Sequence, residues 1–417
     1  MADIKPFKAY RPREGSAQEI ASLPYDVFSR QEAYDKVKKY PDSFLAIDRP
    51  ETQFPPQQDM YAQEVYEKAR EMLWDKIEKG VFVQDEEPCY YIYEQKMNGR
   101  TQTGIVAVAS IDDYLNGVIK KHENTREEKE QDRINHVYTC NAQTGPIFLC
   151  YRKNRLLSDL IEKIKEVDEP VYDFESEDGV HNRIFVISDL EERDTICRVF
   201  TTIDSIYIAD GHHRCASAVK VGLKKREEAG NSVKGKLESD YFLSVLFPDD
   251  ELMIMDYNRV VKDLNGLSKD EFIEKMSDKF EVQEADSQVK PSKKGEFGMF
   301  LDKKWYVLEA KEKIKSADPV EGLDVSVLQK YLLSPILGIG DPRTDKRIDF
   351  VGGIRGLDEL ERRCNTDMEL AFSLYPTSIS ELFDVADAKM LMPPKSTWFE
   401  PKLLSGLFVH DISGIIK

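Results

Sequence analysis

The chain has 417 residues, of which 41% are hydrophobic and 10% aromatic. This length predicts two or three domains, and this composition excludes a globally disordered protein. The 59 Lys and Arg against 77 Asp and Glu give a net charge of -18. Because like charges repel, this balance argues against DNA and anionic membranes as partners.

The sequence has no segment typical of export or membrane insertion. Its first ten residues lack the apolar core of a signal peptide, and no apolar run approaches the roughly 18 residues of a membrane helix. Six cysteines are scattered without a C-x-x-C pair, most of them in apolar, strand-like runs. We therefore expect reduced, buried thiols in a cytoplasmic protein.

Residues 1–95 are predicted to form an N-terminal α/β segment that packs on the core. Ser29 stands where a helix would need an N-cap. A second helix is predicted over 62–79, where apolar residues recur at helical spacing before Gly80.

Residues 96–250 are predicted to form the core of the protein. Runs rich in Val, Ile and Tyr flank Asn98 and Gly99, which predicts a β-hairpin whose first strand begins before residue 96. A polar turn at 120–125 leads into a charged helix, and a helix ending near Gly230 precedes a further strand. Other predicted strands lie at 145–151, 183–188 and 205–210.

Residues 251–417 are predicted to form a C-terminal α/β domain. Its strand-like runs include 251–261 and 369–375, and a hairpin is expected around 347–356, where "RIDFVGGIRG" contains paired glycines. The fold class predicted for the whole chain is mixed α/β with short strands.

The stretch "SIYIADGHHRCASAVK", residues 205–220, places two of the six histidines at a strand-to-helix junction. A helix N-terminus presents free N–H groups, Gly211 lets a phosphate approach the backbone, and Arg214 adds a fork of donors. These residues favour a phosphate site. A metal site is less favoured, because adjacent histidines on a helix point about 100° apart. A histidine pair that only caps the helix is the remaining alternative.

This stretch resembles the glycine-x-[His/Arg]-Arg-x-x-Ala signature of the ParB and sulfiredoxin superfamily, whose members hold nucleotide phosphates at this turn. The whole chain is identified as a member of the uncharacterised family called domain of unknown function 1015. The segments that carry this second resemblance are "ASLPYDV" (21–27), "KKHENT" (120–125), "ADGHHR" (209–214), "DYNRVV" (256–261) and "MPPKSTWFEPKLLSG" (392–406).

Within the superfamily the resemblance is greatest to free-serine kinases, which implies a ParB/sulfiredoxin-like core. It implies ADP or ATP with Mg²⁺ as cofactors and a small hydroxyl metabolite, with L-serine first, as acceptor. Glu123 would be the general base beside His122, although a carboxylate near a helix N-terminus is also favoured by the helix dipole alone. The phosphate-binding residues would be Asp210, Gly211, His212, His213 and Arg214.

Two members of the superfamily are poor matches in function. Sulfiredoxin has its reactive cysteine before the His-Arg pair, whereas in this chain Cys215 follows Arg214. A DNA-partitioning ParB needs a basic helix-turn-helix after this turn, and no convincing one follows residue 230. The alternative to a kinase is a regulator that binds or hydrolyses a nucleotide, or a module that binds an anion without catalysis.

Several other residues are weaker candidates. Asp26 in the Pro-Tyr-Asp turn could cap a helix or ligate a cation, and Lys395 and Ser396 could approach an anion from the second domain. The charge run over 123–133 is predicted to be a solvated helix face, with any ion pair of Asp132 and Arg133 made on that helix or to the site. The metal ligands and oligomeric state stay unassigned, and a homodimer is left open.

Overall fold

The computed structural model describes residues 1–230 and 233–416. By their contacts these residues form two compact units: unit 1 contains 1–252 and 401–417, and unit 2 contains 253–400. The expected boundary near 250 lies beside the boundary between the units, while 401–417 group with unit 1. The division of the chain at residue 95 stays a prediction.

Helices and strands alternate through the first part of unit 1. The helices are α1 (Ala17–Ile20), α2 (Arg30–Lys39), α3 (Leu45–Asp48), α4 (Gln63–Glu78), α5 (Ile111–Leu115), α6 (Glu127–Cys140), α7 (Arg155–Val167), α8 (Leu190–Phe200) and α9 (His212–Ala229). The strands are β1 (Ile4–Lys5), β2 (Tyr10–Pro12), β3 (Phe82–Gln84), β4 (Tyr90–Met97), β5 (Arg100–Ser110), β6 (Ile119–Lys120), β7 (Ala142–Gln143), β8 (Ile147–Tyr151), β9 (Tyr172–Glu175), β10 (His181–Ile187), β11 (Ile206–Asp210) and β12 (Tyr241–Pro248).

Unit 2 is built around an antiparallel sheet. Its strands are β13 (Met253–Met255), β14 (Tyr257–Val261), β15 (Phe280–Ala285), β16 (Glu296–Leu301), β17 (Lys304–Ala310), β18 (Ile348–Gly352), β19 (Leu370–Leu374) and β20 (Trp398–Glu400). Its helices are α10 (Lys269–Met276), α11 (Asp324–Leu328), α12 (Gly356–Cys364) and α13 (Ile379–Asp387). The sheet order is β15-β17-β16-β19-β14-β18, and β13 pairs separately with β20. The chain then returns to unit 1 with β21 (His410–Asp411).

The main sheet of unit 1 has the order β6-β11-β8-β12-β5-β4-β10-β9, and β1 also pairs with β5. Its neighbours are antiparallel except for the parallel pairs β11–β6 and β12–β8. The central strands β8 and β12 are buried at every residue, which explains why their sequences are continuous apolar runs. Apolar residues of α7, α8 and α9 pack with the sheet in one core. The fold class is therefore mixed α/β, as expected.

Two predicted features that depend only on residues close together in the sequence are present in the structure. Ser29 accepts from the Glu32 N–H, and the Glu32 side chain accepts from the Ser29 N–H, which completes a capping box. Asn98 and Gly99 both have positive φ values, 50° and 80°, between β4 and β5. This is the turn that joins two strands with their natural twist.

The hairpin expected around 347–356 was wrong. The chain instead forms β18, a 3-10 turn at Gly353–Arg355 and then α12. A Cβ on Gly352 would lie 2.9 Å from the Trp398 ring, and one on Gly353 would lie 2.3 Å from Asp256 Oδ1. The paired glycines are therefore required by close packing and not by a turn between strands.

The solvated helix face expected over 123–133 was also wrong in part. Glu130, Asp132 and Arg133 of α6 are buried, with 6% of each residue exposed. The buried side of α6 packs against α4 and α9, so its charged side chains need hydrogen-bond or ion-pair partners within the fold.

Among the described residues, no helix combines the length and apolar character needed to cross a membrane.

Candidate functional site

The turn between β11 and α9 requires glycine at position 211. Gly211 has φ +89°, and a Cβ at this position would lie 3.3 Å from Arg214 Nε. Backbone conformation and space therefore both favour glycine. The register of β11 against β8 shifts between Ile208 and Asp210, and the 18-residue helix α9 begins directly after Gly211.

The Arg214 side chain folds back over this turn. Its Nη1 donates to the Pro146 carbonyl at 2.6 Å, while Nε and Nη2 lie 3.3 and 3.4 Å from the place that a Cβ on Gly211 would take. One donor of the guanidinium thus fixes the side chain against the loop before β8. The others lie over the helix N-terminus, where a bound oxyanion would be found.

Two histidines pack against each other beside the turn. The rings of His122 and His212 meet edge to face, with centroids 4.5 Å apart, and the backbone N–H of His122 points at His212 Nε2 at 3.5 Å. Burial lowers the pKa of His122 to about 4, against the opposing effects of Asp210 and the Ile208 carbonyl. Burial, together with His122, also holds the pKa of His212 well below its ordinary value. Both rings are therefore neutral at pH 7.

Three ring nitrogens around this turn make no hydrogen bond of normal geometry, although the Ile208 carbonyl lies close enough to the His122 ring to act on its pKa. Within 1–230 and 233–416, no partner of normal geometry satisfies Nδ1 or Nε2 of His122, or Nδ1 of His213. His122 is only 2% exposed. Buried polar atoms are nearly always hydrogen-bonded in native proteins, and an unsatisfied one needs an explanation.

The two predicted carboxylates of the site lie on loops around the histidines. Glu123 follows His122 in the loop between β6 and α6 and is half-buried. Asp26 is exposed in the 3-10 turn Tyr25–Val27. Burial lowers the pKa of His213, and the nearby Asp26 charge opposes that change.

Lys395 and Ser396 lie in unit 2. Ser396 Oγ donates to the Pro393 carbonyl at 2.6 Å, and Lys395 Nζ lies 5.5 Å from the centre of the Tyr257 ring. The Lys395 carbonyl accepts from Arg259 at 3.0 Å. A contact of Lys395 and Ser396 with a bound anion stays a prediction.

Sequence reasoning missed Lys402, which reaches the turn from the C-terminal segment. Its Nζ lies 3.0 Å from Asp210 Oδ2, while Asp210 Oδ1 accepts from the Gly211 N–H at 2.8 Å. Burial would raise the pKa of Asp210, but the charges of Lys402 and Arg214 outweigh it and hold the pKa well below the usual range. The motif 392–406 contained Lys402, but only the fold brings it to residue 210.

A small cavity is lined in part by Arg214. Its volume is about 30 Å³, room for about two water molecules. Arg133 lines it together with Arg214, and Asp132 Oδ2 accepts from Arg133 at 2.8 Å. The Arg133 guanidinium lies 4.1 Å from the centre of the Tyr25 ring. The other lining residues are Asp48, His136, Val137, Gln143, Thr144, Gly145, Ile147, Ala218, Leu243 and Ser405.

Cys215 is not a reactive thiol. It is fully buried, and burial raises the pKa of the thiol far above its ordinary value. The helix N-terminus lowers thiol pKa values only where the thiolate can be stabilised, and an apolar core does the opposite. The sequence-based argument against sulfiredoxin chemistry is thus supported by the position of the side chain.

A scan against family models matches residues 4–326 to a family described as "Protein of unknown function (DUF1015)". The chain belongs to this family. The match spans most of the chain and includes four of the five segments, so the family membership inferred from the sequence is confirmed; segment 392–406 lies outside the matched residues. A search of the curated proteins found no match.

Solved structures provide distant similarities to this DUF1015 protein. A free serine kinase in complex with AMP is 16% identical, with a TM-score of 0.36, covering 71% of this chain and 86% of that chain. A conserved hypothetical protein from Pyrococcus furiosus is 16% identical at TM-score 0.34, covering 72% and 94%. SbnI with a C-terminal truncation, from Staphylococcus aureus, is 11% identical at TM-score 0.37, covering 72% and 85%. At these values the similarity carries no information on substrate or activity.

Segments that carry the DUF1015 resemblance converge on one turn of unit 1. Segment 120–125 contributes His122 beside His212, and segment 392–406 contributes Lys402 beside Asp210. Segment 21–27 pairs with Ser405 through Ser22. Residues far apart in sequence are thus assembled around the N-terminus of α9.

Among the described residues, no group of three or more His, Cys, Asp or Glu side chains is arranged to hold a metal ion. A magnesium ion bound with a nucleotide needs only one or two carboxylates, because phosphates and water complete its coordination. Magnesium binding by Asp26 or Glu123 stays a prediction.

Proposed function

We propose that this protein binds the phosphates of a nucleotide at Gly211–Arg214 and transfers a phosphoryl group to a small hydroxyl substrate. The observation that carries the proposal is the set of unpartnered ring nitrogens of His122 and His213 beside the N-terminus of α9. A phosphate would supply the oxygen acceptors that a neutral imidazole N–H requires. By resemblance, ADP or ATP is the donor and L-serine the first acceptor to test.

The local charge supports an anionic ligand despite the net charge of -18. Burial is the main cause of the lowered pKa values of His212 and His213. Lys121 adds to the effect at His212, and Arg126 and Lys129 add to it at His213, whereas Asp210, Asp26 and Glu130 oppose it. Cationic side chains beside the turn would raise the local concentration of anions and speed their association.

In the proposed reaction Glu123 accepts the proton of the substrate hydroxyl. The hydroxyl oxygen forms a bond to the terminal phosphorus, while the bond from that phosphorus to the bridging oxygen breaks. The N-terminus of α9 and Arg214 hold the phosphate oxygens as charge shifts between them. His122 stays neutral at pH 7 and donates a hydrogen bond. Mg²⁺, when bound with the nucleotide, would be held by Asp26 and would neutralise phosphate charge.

Calorimetric titration with ADP, ATP, CTP and GTP, each with and without Mg²⁺, tests nucleotide binding. One nucleotide is expected to bind the wild type, and Arg214→Ala is expected to weaken it at least about tenfold, the value of one charge-assisted hydrogen bond. Lys224→Ala is the matched control, since it removes an exposed cation from the same helix. Absence of binding by any nucleotide would refute the proposal.

Glu123→Gln separates binding from transfer. This variant is expected to bind the nucleotide as the wild type does and to lose phosphorylation of L-serine by a factor of about 10² or more. If the wild type binds a nucleotide but phosphorylates neither serine nor any other small hydroxyl compound, the regulator without kinase activity replaces the kinase. Unchanged transfer by Glu123→Gln would remove Glu123 from the role of base.

A further inference from the structure

Lys402, in the C-terminal segment, pairs with the carboxylate of Asp210 at the proposed phosphate site. Only 13% of the Lys402 side chain is exposed, and its Nζ contacts the Asp210 carboxylate. That carboxylate is fixed by the Gly211 N–H, so it lies at the N-terminus of α9. An unneutralised carboxylate there would repel a phosphate and would compete for the same backbone donors.

The position of Lys402 is built into the fold and does not depend on a flexible surface contact. The Lys402 carbonyl accepts from Gln95 Nε2 at 2.9 Å, and the Gln95 side chain accepts in turn from Gln102 at 3.0 Å. Both glutamines are buried, with 1% and 2% exposed. Two further bonds hold the segment: Ser405 N–H donates to Ser22 at 2.8 Å and Leu404 N–H points at Tyr93 Oη at 3.5 Å.

Buried amide side chains cost free energy unless they are hydrogen-bonded. Gln95 donates to the Lys402 carbonyl at 2.9 Å and Gln102 points at the Pro401 carbonyl at 3.5 Å, so the backbone is held on both sides of the Lys402 Cα. Arg214, by contrast, uses one of its donors on the Pro146 carbonyl and stays over Gly211. Both cations act on the charge of Asp210, but Lys402 is the one that contacts the carboxylate directly, while the free donors of Arg214 lie over Gly211.

We propose that Lys402 is a positioning residue of the phosphate site, which makes the site accept anions by neutralising Asp210. This inference rests on the proposed function, because it concerns the same phosphate-binding turn. It also makes residues 401–406 part of the site, so that the turn alone does not bind phosphate well. Lys402 should affect the binding of any phosphate group, whether it is free or part of a nucleotide.

The test is a double-mutant cycle read by calorimetric titration with inorganic pyrophosphate and with the nucleotide that binds the wild type. Lys402→Met is expected to raise the dissociation constant for both at least about tenfold, because Asp210 is left charged. Asp210→Asn in the Lys402→Met background is expected to restore binding to within about threefold of the wild type. Asparagine keeps the oxygen that accepts from Gly211 but carries no charge.

Lys165→Met is the matched control, since Lys165 is 11% exposed and pairs with the buried Glu94 elsewhere in unit 1. It should leave binding unchanged. Lys402→Arg should bind as the wild type does, and thermal melting of each variant checks that it folds. A rescue by Asp210→Asn could not arise if Lys402→Met had merely disordered the segment.

The outcomes separate this inference from the proposed function. If the wild type binds neither pyrophosphate nor any nucleotide, the proposed function fails, and the inference with it. If the wild type binds but Lys402→Met binds equally well, only the role of Lys402 is refuted. The same holds if the double variant binds as weakly as folded Lys402→Met, because charge neutralisation would then not be what Lys402 supplies.

Discussion

Arg133 in unit 1 and Arg259 in unit 2 are both buried, but their surroundings differ. Arg133 pairs with Asp132, and that charge outweighs burial and raises the pKa of the guanidinium. Among the described residues, Arg259 has no carboxylate partner. It donates to the carbonyls of Tyr257 and Lys395, and burial lowers its pKa to about 10.

The two units also differ in what lies beside these arginines. Near Arg133 are Arg214 and a turn whose histidines have unpartnered nitrogens. Near Arg259 the Tyr257 and Trp398 rings meet edge to face at 5.0 Å, and the arginine fastens the turn at Lys395. Buried polar groups thus keep unsatisfied nitrogens beside the proposed phosphate turn of unit 1, whereas those around Arg259 in unit 2 are satisfied. Unsatisfied polar atoms distinguish the two cases.

The largest effect is expected from breaking the buried pair in unit 1. Arg133→Met leaves Asp132 buried without its cation, which should lower the free energy of unfolding by about 3 kcal/mol or more. Lys79→Met, which removes the exposed pair with Asp75 on α4, should cost less than about 1 kcal/mol. Urea denaturation followed by hydrogen exchange of peptides from each unit measures both. Equal costs would show that the Arg133 pair is not isolated from water.

An effect nearly as large is expected from pH, with opposite signs in the two units. The pKa of His122 is about 4 in the fold against an ordinary 6.5. The unfolded chain therefore binds the proton first, and stability falls as the pH drops from 6.5 to 4. In unit 2, burial raises the pKa of Asp324 to about 7 from an ordinary 3.8. Asp324 therefore stays protonated to a higher pH in the folded chain than in the unfolded chain, and stability falls as the pH rises from 4 to 7.

Neutral variants isolate each contribution. Relative to the wild type, His122→Asn should gain about 3 kcal/mol in unit 1 on going from pH 7 to pH 4. Asp324→Asn should gain about 3–4 kcal/mol in unit 2 on going from pH 4 to pH 8. The same unit-resolved denaturation at the three pH values measures both. If both variants gained stability for the same direction of pH change, one of the two pKa shifts would have the opposite sign.

The smallest effect is expected from Arg259→Met. Its guanidinium bears the cost of burial without an opposite charge, so an apolar side chain of similar size should change the stability of unit 2 by only about 1 kcal/mol. The variant should leave nucleotide binding by calorimetry unchanged. A loss as large as that of Arg133→Met would mean that the two arginines are held alike, and a loss of binding would give unit 2 a role in the site.

Much of the local structure was predictable from the sequence. The cap at Ser29, the turn at Asn98–Gly99 and the strand–glycine–helix junction at Gly211 were all expected and are all present. The errors came from residues whose role depends on distant neighbours. The paired glycines at 352 and 353 looked like a hairpin, but Trp398 and Asp256 pack against them.

The sequence by itself determined where helices, strands and the candidate phosphate turn lie, because caps, turns and periodic apolar residues act over a few residues along the chain. Only the tertiary structure decided that His122 meets His212, that Lys402 reaches Asp210 across 192 positions, and that Arg133 is buried. Burial and charge pairing depend on which segments meet in space. Those two quantities decide whether a histidine, a lysine or an arginine serves a site or the fold.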